Sequence, residues 1–141
     1  MKIIIASDHA GFDLKQAIFE HLRTKNEDVT DAGPPSAESC DYSHYALLIA
    51  RSVSAGEYDR GVLVCGTGIG MSMAANRIKG ARAALCFNEY MARMSRNHND
   101  ANILCLGQRT TGVGLALATL ETFLTADFEG GRHQRRLSLF D

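Results

Sequence analysis

The sequence predicts a single-domain α/β fold, a doubly wound five-stranded parallel sheet with helices on both faces. Two observations predict it. Five short apolar runs alternate with segments whose apolar residues recur at helical spacing, and strands joined through helices run parallel with both faces covered. The 141 residues contain no linker, internal repeat or low-complexity tract, so one domain spans 1–141 and can bury roughly two thirds of the surface its unfolded chain exposes.

The elements follow in order. KIIIA (2–6) is the first strand, and Leu14, Ala17, Ile18 and Leu22 mark the buried stripe of a helix from about Asp13 to Lys25. DVTDA (28–32) is the weakest strand. After the polar loop GPPSAESC comes a helix from about Tyr42 to Ala55, the strand GVLVC (61–65) and a helix from about Gly70 to Ile78. The unit then repeats: ARAALC (81–86) precedes a helix near Glu89 to Arg96, and NILCL (102–106) precedes one near Val113 to Thr125. From about 127 a tail with a Gly-Gly hinge ends in Leu137, Leu139 and Phe140, apolar residues that call for a surface such as another subunit's.

Composition excludes several classes. Lys and Arg total 15 against 16 Asp and Glu, and the net charge of -1 gives no long-range pull toward nucleic acid or an anionic membrane. Cys40, Cys65, Cys86 and Cys105 lie far apart, with neither a C-x-x-C pair nor zinc-site spacing, and read as reduced thiols of a cytoplasmic protein. The start MKIIIASDHAG turns polar at Ser7, too early for a signal-peptide core, and nothing later reaches transmembrane length. No two ligand-type residues stand out at metal-site spacing, so no metal is expected.

In open parallel sheets, ligands sit outside the carboxyl ends of the strands. Asp8 and His9 follow the first strand, the loop at Cys65 follows the third, and Gly107, Gln108 and Arg109 follow the fifth. The third-strand loop reads CGTGIGM. It is no P-loop, because no Lys-Ser/Thr follows Gly70, and Met71 stands where a dinucleotide fingerprint needs its third glycine. What remains, Gly66, Thr67, Gly68, Ile69 and Gly70 opening a helix, is a nest of N–H donors suited to a phosphate or a developing oxyanion.

Three features admit two readings on residues alone. Cys65 is either a packed strand cysteine or a thiol activated by the nest. His98 with Asn99 and Asp100 is either the partner set of an acyl-transfer cysteine or a helix-capping turn. Arg132 and Arg136, four apart, share a face if the tail is helical and then either grip one phosphate or form a solvated basic surface.

Taken together, SDHAG, DYSHYA, CGTGIGMSMAAN, RNHNDANIL, GQR and GGRHQRR resemble the ribose-5-phosphate isomerase type B family, which includes galactose-6-phosphate isomerase subunits. The likeness runs in register from about Ile4 to Arg136. It implies a Rossmann-like fold and aldose-ketose isomerisation of a sugar phosphate through an enediolate, without metal or organic cofactor. Cys65 matches the base between C2 and C1, the loop from Gly66 to Gly70 with Thr67 matches the cradle for developing charge, and His98 matches the residue that helps open the furanose. His9, Arg109, Arg132 and Arg136 match the phosphate site, and Asp8, Tyr42 and Asn99 the contacts to sugar hydroxyls.

The family's sites lie between two subunits, so the resemblance implies a homodimer, or a tetramer of two dimers. A second branch replaces the cysteine by a carboxylate just after the loop; here that position is Met71, so the cysteine branch is the match. Ser43 stands where many members have proline. The remaining readings are a six-carbon substrate such as allose or galactose 6-phosphate, a non-catalytic sugar-phosphate-binding subunit, and a cysteine hydrolase.

Overall fold

The computed structural model describes residues 1–140. Its strands are β1 (Lys2–Ser7), β2 (Asp28–Asp31), β3 (Arg60–Cys65), β4 (Ala83–Leu85) and β5 (Ile103–Gly107). Its helices are α1 (Phe12–Thr24), α2 (Tyr42–Ser54), α3 (Ile69–Ala75), α4 (Glu89–Asn99), α5 (Val113–Thr125) and α6 (Arg132–Leu137), with a 3-10 turn at His9–Gly11. The strands form one five-stranded sheet in the order β2-β1-β3-β5-β4, and every pairing is parallel.

Strand alternation divides the core into two layers. Ile3, Ile5, Val62, Val64, Leu104 and Leu106 point to one face and pack with Leu14, Ile18 and Leu22 of α1, Ala92 of α4 and Leu120 and Phe123 of α5. Ile4, Ala6, Leu63, Cys65, Ile103 and Cys105 point to the other, against Ile49 and Val53 of α2 and Met71 and Ala75 of α3. This division follows from right-handed crossovers: the step from β1 out to β2 puts α1 on one face, and the return past β1 to β3 puts α2 on the other. The chain leaves β1 in one direction and β3 in the opposite one, so the loops after β1 and β3 flank the switch point where such sheets bind ligands.

The structure departs from the sequence reading at the ends of α3 and α4 and in the tail. The third helix ends at Ala75, because the Asn76 side-chain amide exchanges two hydrogen bonds of 2.8 Å with the Ala83 backbone and turns the chain into β4. Helix α4 runs on through Asn99, and Asp100, in the left-handed region at φ 43°, caps it. The Asp100 carboxylate takes 2.8 Å ion pairs from both Arg82 and Arg96. In the tail, Leu137 is 3 % exposed against its own chain, whereas Leu139 at 85 % and Phe140 at 68 % lie open.

Candidate active site

Three loops meet at the carboxyl edge of the sheet. Gly107, the last residue of β5, lets two of them touch: a Cβ there would lie 2.4 Å from Thr110 Oγ1 and 2.7 Å from Thr67 Cα. The Gln108 N–H then donates to the Cys65 carbonyl at 2.9 Å, and the Arg109 N–H to the Gly66 carbonyl at 3.0 Å. From the other side the Asp8 N–H donates to the Val64 carbonyl at 3.1 Å, tying the β1 loop to β3.

Within this frame Cys65 ends β3, 6 % exposed, with its Sγ accepting the Gly68 N–H at 3.0 Å. Gly68 reaches that position at φ 79°, which favours glycine over any residue with a Cβ. Thr67 Oγ1 accepts the Ile69 N–H at 3.3 Å, and the amides opening α3 have no intrahelical acceptor, so the loop presents donors beside the sulfur. Met71 is fully buried, a packing residue behind the loop.

The other predicted side chains of this edge surround the loop. The Tyr42 ring, opening α2, comes within 2.8 Å of where a Gly70 Cβ would start, and the Arg109 guanidinium within 3.4 Å of the equivalent point on Gly66. Asp8 Oδ1 accepts the Gly11 N–H at 3.0 Å, which fixes its carboxylate at the mouth of the 3-10 turn. His9 Nδ1 lies 3.3 Å from the Cys40 backbone, joining the long polar loop to the site. Asp8, His9, Tyr42, Cys65, Gly66, Thr67, Gly68, Ile69, Gly70 and Arg109 therefore share one edge.

His98, Asn99, Arg132 and Arg136 do not join them. Helix α4 starts after β4 and runs back along the sheet, so its last turn reaches the amino edge. There Asp100 pairs with Arg82, just before β4, and the Asn102 carbonyl accepts the Gly61 N–H at 2.9 Å. Five residue steps from Arg60 to Cys65 separate the two edges by roughly 16 Å. Cys65 and His98 of one chain therefore lie at opposite edges of the sheet, and no acyl-transfer dyad forms within a chain. The capping reading of the His98 turn holds: Asp100 caps α4, and His98 and Asn99 lie just before the cap.

The tail folds against this helix end. The Asn97 amide donates to the Asp127 carbonyl at 2.6 Å, and the Glu129 N–H donates to the Asn97 carbonyl at 3.0 Å. Helix α6 follows, so Arg132 and Arg136 do share a face. Its His133, 5 % exposed, stacks on His98 with ring centroids 4.2 Å apart and planes 6° from parallel. Glu129 Oε2 stands 4.0 Å from His98 Nε2 and 3.6 Å from His133 Nε2.

Glu129 and His133 were not singled out by the sequence reading, although their spacing of four residues is a usable signal. That spacing corrects the expectation that no ligand-type pair has helical spacing. Their side-chain donors and that of His98 lie within 4.8 Å of one another, the one such group among the described residues. Two features oppose a metal there. Parallel rings direct their nitrogen lone pairs side by side instead of toward one point, and Arg132 Nε donates to His133 Nε2 at 3.4 Å. Burial first, then the neighbouring His98 and Arg132, push the His133 pKa down, while Glu129 opposes them.

Residues 3–140 match the family model described as Ribose/Galactose Isomerase. The chain is 47 % identical over 136 residues to ribose-5-phosphate isomerase B of Escherichia coli K12, covering 96 % of this chain and 91 % of that one. Ribose-5-phosphate isomerase B of Clostridium thermocellum superposes with a TM-score of 0.97 at 52 % identity, covering 99 % of this chain and 94 % of that one. The Mycoplasma genitalium ribose-5-phosphate isomerase B with bound ribulose-5-phosphate superposes with a TM-score of 0.94 at 46 % identity, covering 98 % and 92 %.

Proposed function

The chain belongs to the ribose/galactose isomerase family, and from that premise we propose that it interconverts ribose 5-phosphate and ribulose 5-phosphate through an enediolate, with Cys65 as the base. The observation that carries the base assignment is the Gly68 N–H donating to Cys65 Sγ at 3.0 Å inside a loop of further donors. A proton alpha to an aldehyde is weakly acidic, so a thiolate removes it only where the resulting oxyanion is stabilised as it forms. Each well-aimed N–H contributes about 3 kcal/mol, roughly a hundredfold in rate.

The reaction starts from the cyclic aldose. His98 as imidazolium gives a proton to the ring oxygen O4, and the C1–O4 bonding pair stays on that oxygen. C1=O1 forms as the anomeric hydroxyl releases its proton to water, from which His98 is recharged. The Cys65 thiolate then takes the C2 proton, and C1=C2 forms with negative charge on O1 in the cradle of Gly66 to Gly70 and Thr67. The thiol returns its proton to C1 while the O2 proton passes to O1, leaving ribulose 5-phosphate and the thiolate.

His9, Arg109, Arg132 and Arg136 supply the positive charge for the phosphate, and Asp8, Tyr42 and Asn99 address the sugar hydroxyls. These groups occupy two edges of one chain, so a working site takes its cysteine edge from one subunit and its His98 edge from another. A homodimer is the smallest assembly that provides this, and two dimers joining as a tetramer would preserve it. The exposed Leu139 and Phe140 supply apolar surface for such contact. Cytoplasmic placement fits four free cysteines, and among the described residues no helix is long and apolar enough to cross a membrane.

The test is ribulose 5-phosphate formation from ribose 5-phosphate by the purified chain in the presence of a chelator, beside Cys65→Ala. Turnover that survives chelation and vanishes in the variant supports a metal-free cysteine isomerase. An inert wild type, or an active variant, overturns the reading. The names of the relatives support the five-carbon substrate over the six-carbon one.

A further inference from the structure

The cluster of His98, Glu129 and His133 has no part in the steps above beyond His98 itself, yet it is built with more care than a solvated tail requires. His133 is 5 % exposed, an unusual place for an imidazole unless its polar atoms are engaged. Its Nε2 accepts from Arg132 Nε, so the neutral ring carries its proton on Nδ1. Burial, His98, Arg132 and Arg136 all disfavour charge on that ring, with only Glu129 opposing. With Nε2 taken up as an acceptor, His133 offers His98 a neutral aromatic face at 4.2 Å, on which an imidazolium rests favourably. One oxygen of Glu129 lies 4.0 Å from His98 Nε2 and 3.6 Å from His133 Nε2, so a single carboxylate sits at the edge of the stack, where it opposes the charge of a protonated His98.

We propose that Glu129 and His133 are positioning residues for ring opening, His133 fixing the plane of His98 by stacking and Glu129 supplying the counter-charge for its protonated form. The inference rests on the isomerase reading, in which His98 is the group that protonates the ring oxygen. Backbone contacts support the arrangement. The Glu129 N–H is anchored on the Asn97 carbonyl and the His133 N–H on the Gly130 carbonyl at 3.0 Å, so both side chains are carried by α4 and the turn entering α6. The same turn places Arg132, a phosphate ligand of the proposed site, against His133. Phosphate capture and orientation of the proton donor thus share one short segment.

The experiment separates the ring step from the proton transfer at carbon. Ribulose 5-phosphate is an open-chain ketose, so solvent deuterium enters its C1 through Cys65 with no ring step. Glu129→Gln and His133→Ala should each lower the conversion of ribose 5-phosphate about tenfold. Deuterium entry at C1 of ribulose 5-phosphate should stay within about twofold, since the cysteine edge is untouched. Glu129→Asp and His133→Phe, which keep the charge and the stacking face, should recover most of the loss. Equal losses in both assays, or no loss in either, overturn the proposal.

If the wild type converts no ribose 5-phosphate, the isomerase reading fails by itself, and NMR of the imidazole protons still reads the cluster. His98 resonances should lose their upfield ring-current shift in His133→Ala and keep it in His133→Phe. A His98 shift unchanged in His133→Ala removes the stacking role given to His133.

Discussion

Burial sets the chemistry of two of the four cysteines. It pushes the Cys86 thiol up to about 11, with a hydrogen bond from Ser95 working against it, and it raises the fully buried Cys105 well above the ordinary thiol value. Both stay protonated near neutral pH and are inert toward electrophiles. Iodoacetamide on the folded protein at pH 8 should therefore leave Cys86 and Cys105 unmodified and label Cys65 and the partly exposed Cys40, with ribose 5-phosphate protecting Cys65. Peptide mass spectrometry reads the outcome, and labelling of Cys105 ahead of Cys65 would contradict it. Cys65→Ala should lower turnover by roughly a thousandfold while a phosphate-bearing competitor binds within a few fold, because it removes the proposed base and leaves every cationic group in place. His98→Ala should fail differently, losing the cyclic aldose far more than C1 exchange of the open ketose. Comparable losses on both would place His98 outside ring opening.

Between elements, local contacts set both the alignment of the loops and a small pH-dependent share of stability. Gly107→Ala should fold yet turn over roughly a hundredfold more slowly, because the added carbon cannot fit between Thr67 and Thr110 without parting the β3 and β5 loops. Circular dichroism and kcat together check it. On the opposite flank Glu121 of α5 takes the Lys25 ammonium at 2.7 Å and His21 Nε2 at 2.6 Å, joining the ends of α1 and α5. Burial raises the Glu121 pKa, but hydrogen bonds from Lys25 and His21 and their charges outweigh it and hold the carboxyl below its ordinary 4.5. A lowered folded value means that the clamp stabilises above the ordinary value and is lost as pH falls through the folded one. The groups are about a third exposed and screened, so Glu121→Gln should lower the melting temperature by about 1–2 °C at pH 7. At pH 3 the difference should shrink toward zero, and a constant difference would contradict the clamp. Elements buried on both sides were legible in sequence, since KIIIA, GVLVC and NILCL admit no other placement. The edge strands were less so: β2 alternates between exposed and half-buried residues, and β4 keeps only three residues of its six-residue run. Their pairing comes from neighbours distant in sequence, and no local pattern encodes it.

At the scale of the whole molecule, the carboxyl-edge half of the candidate site was legible because all of its residues but Tyr42, which opens α2, close a strand or lie in the loop directly after one, and parallel topology brings such residues together. The amino-edge half was legible only in motif. That α4 runs back to place His98 and Asn99 there, and that α6 docks Arg132 beside them, depends on packing between segments about thirty residues apart. The division has a consequence that one mixing experiment measures. In the proposed homodimer, Cys65→Ala and His98→Ala should each disable every site. In a mixed dimer, one site combines the intact Cys65 of the His98→Ala chain with the intact His98 of the Cys65→Ala chain, while the other site lacks both. Random reassociation of equal amounts makes half of the dimers mixed, each with one working site of two, so activity should recover to about a quarter of the wild-type value. Should each chain hold its own complete site, no pairing of the two variants would restore anything, and mixtures would remain as inactive as their components. Recovery near a quarter after co-refolding, with none when the folded variants meet without exchanging subunits, would place the site at the junction of two chains.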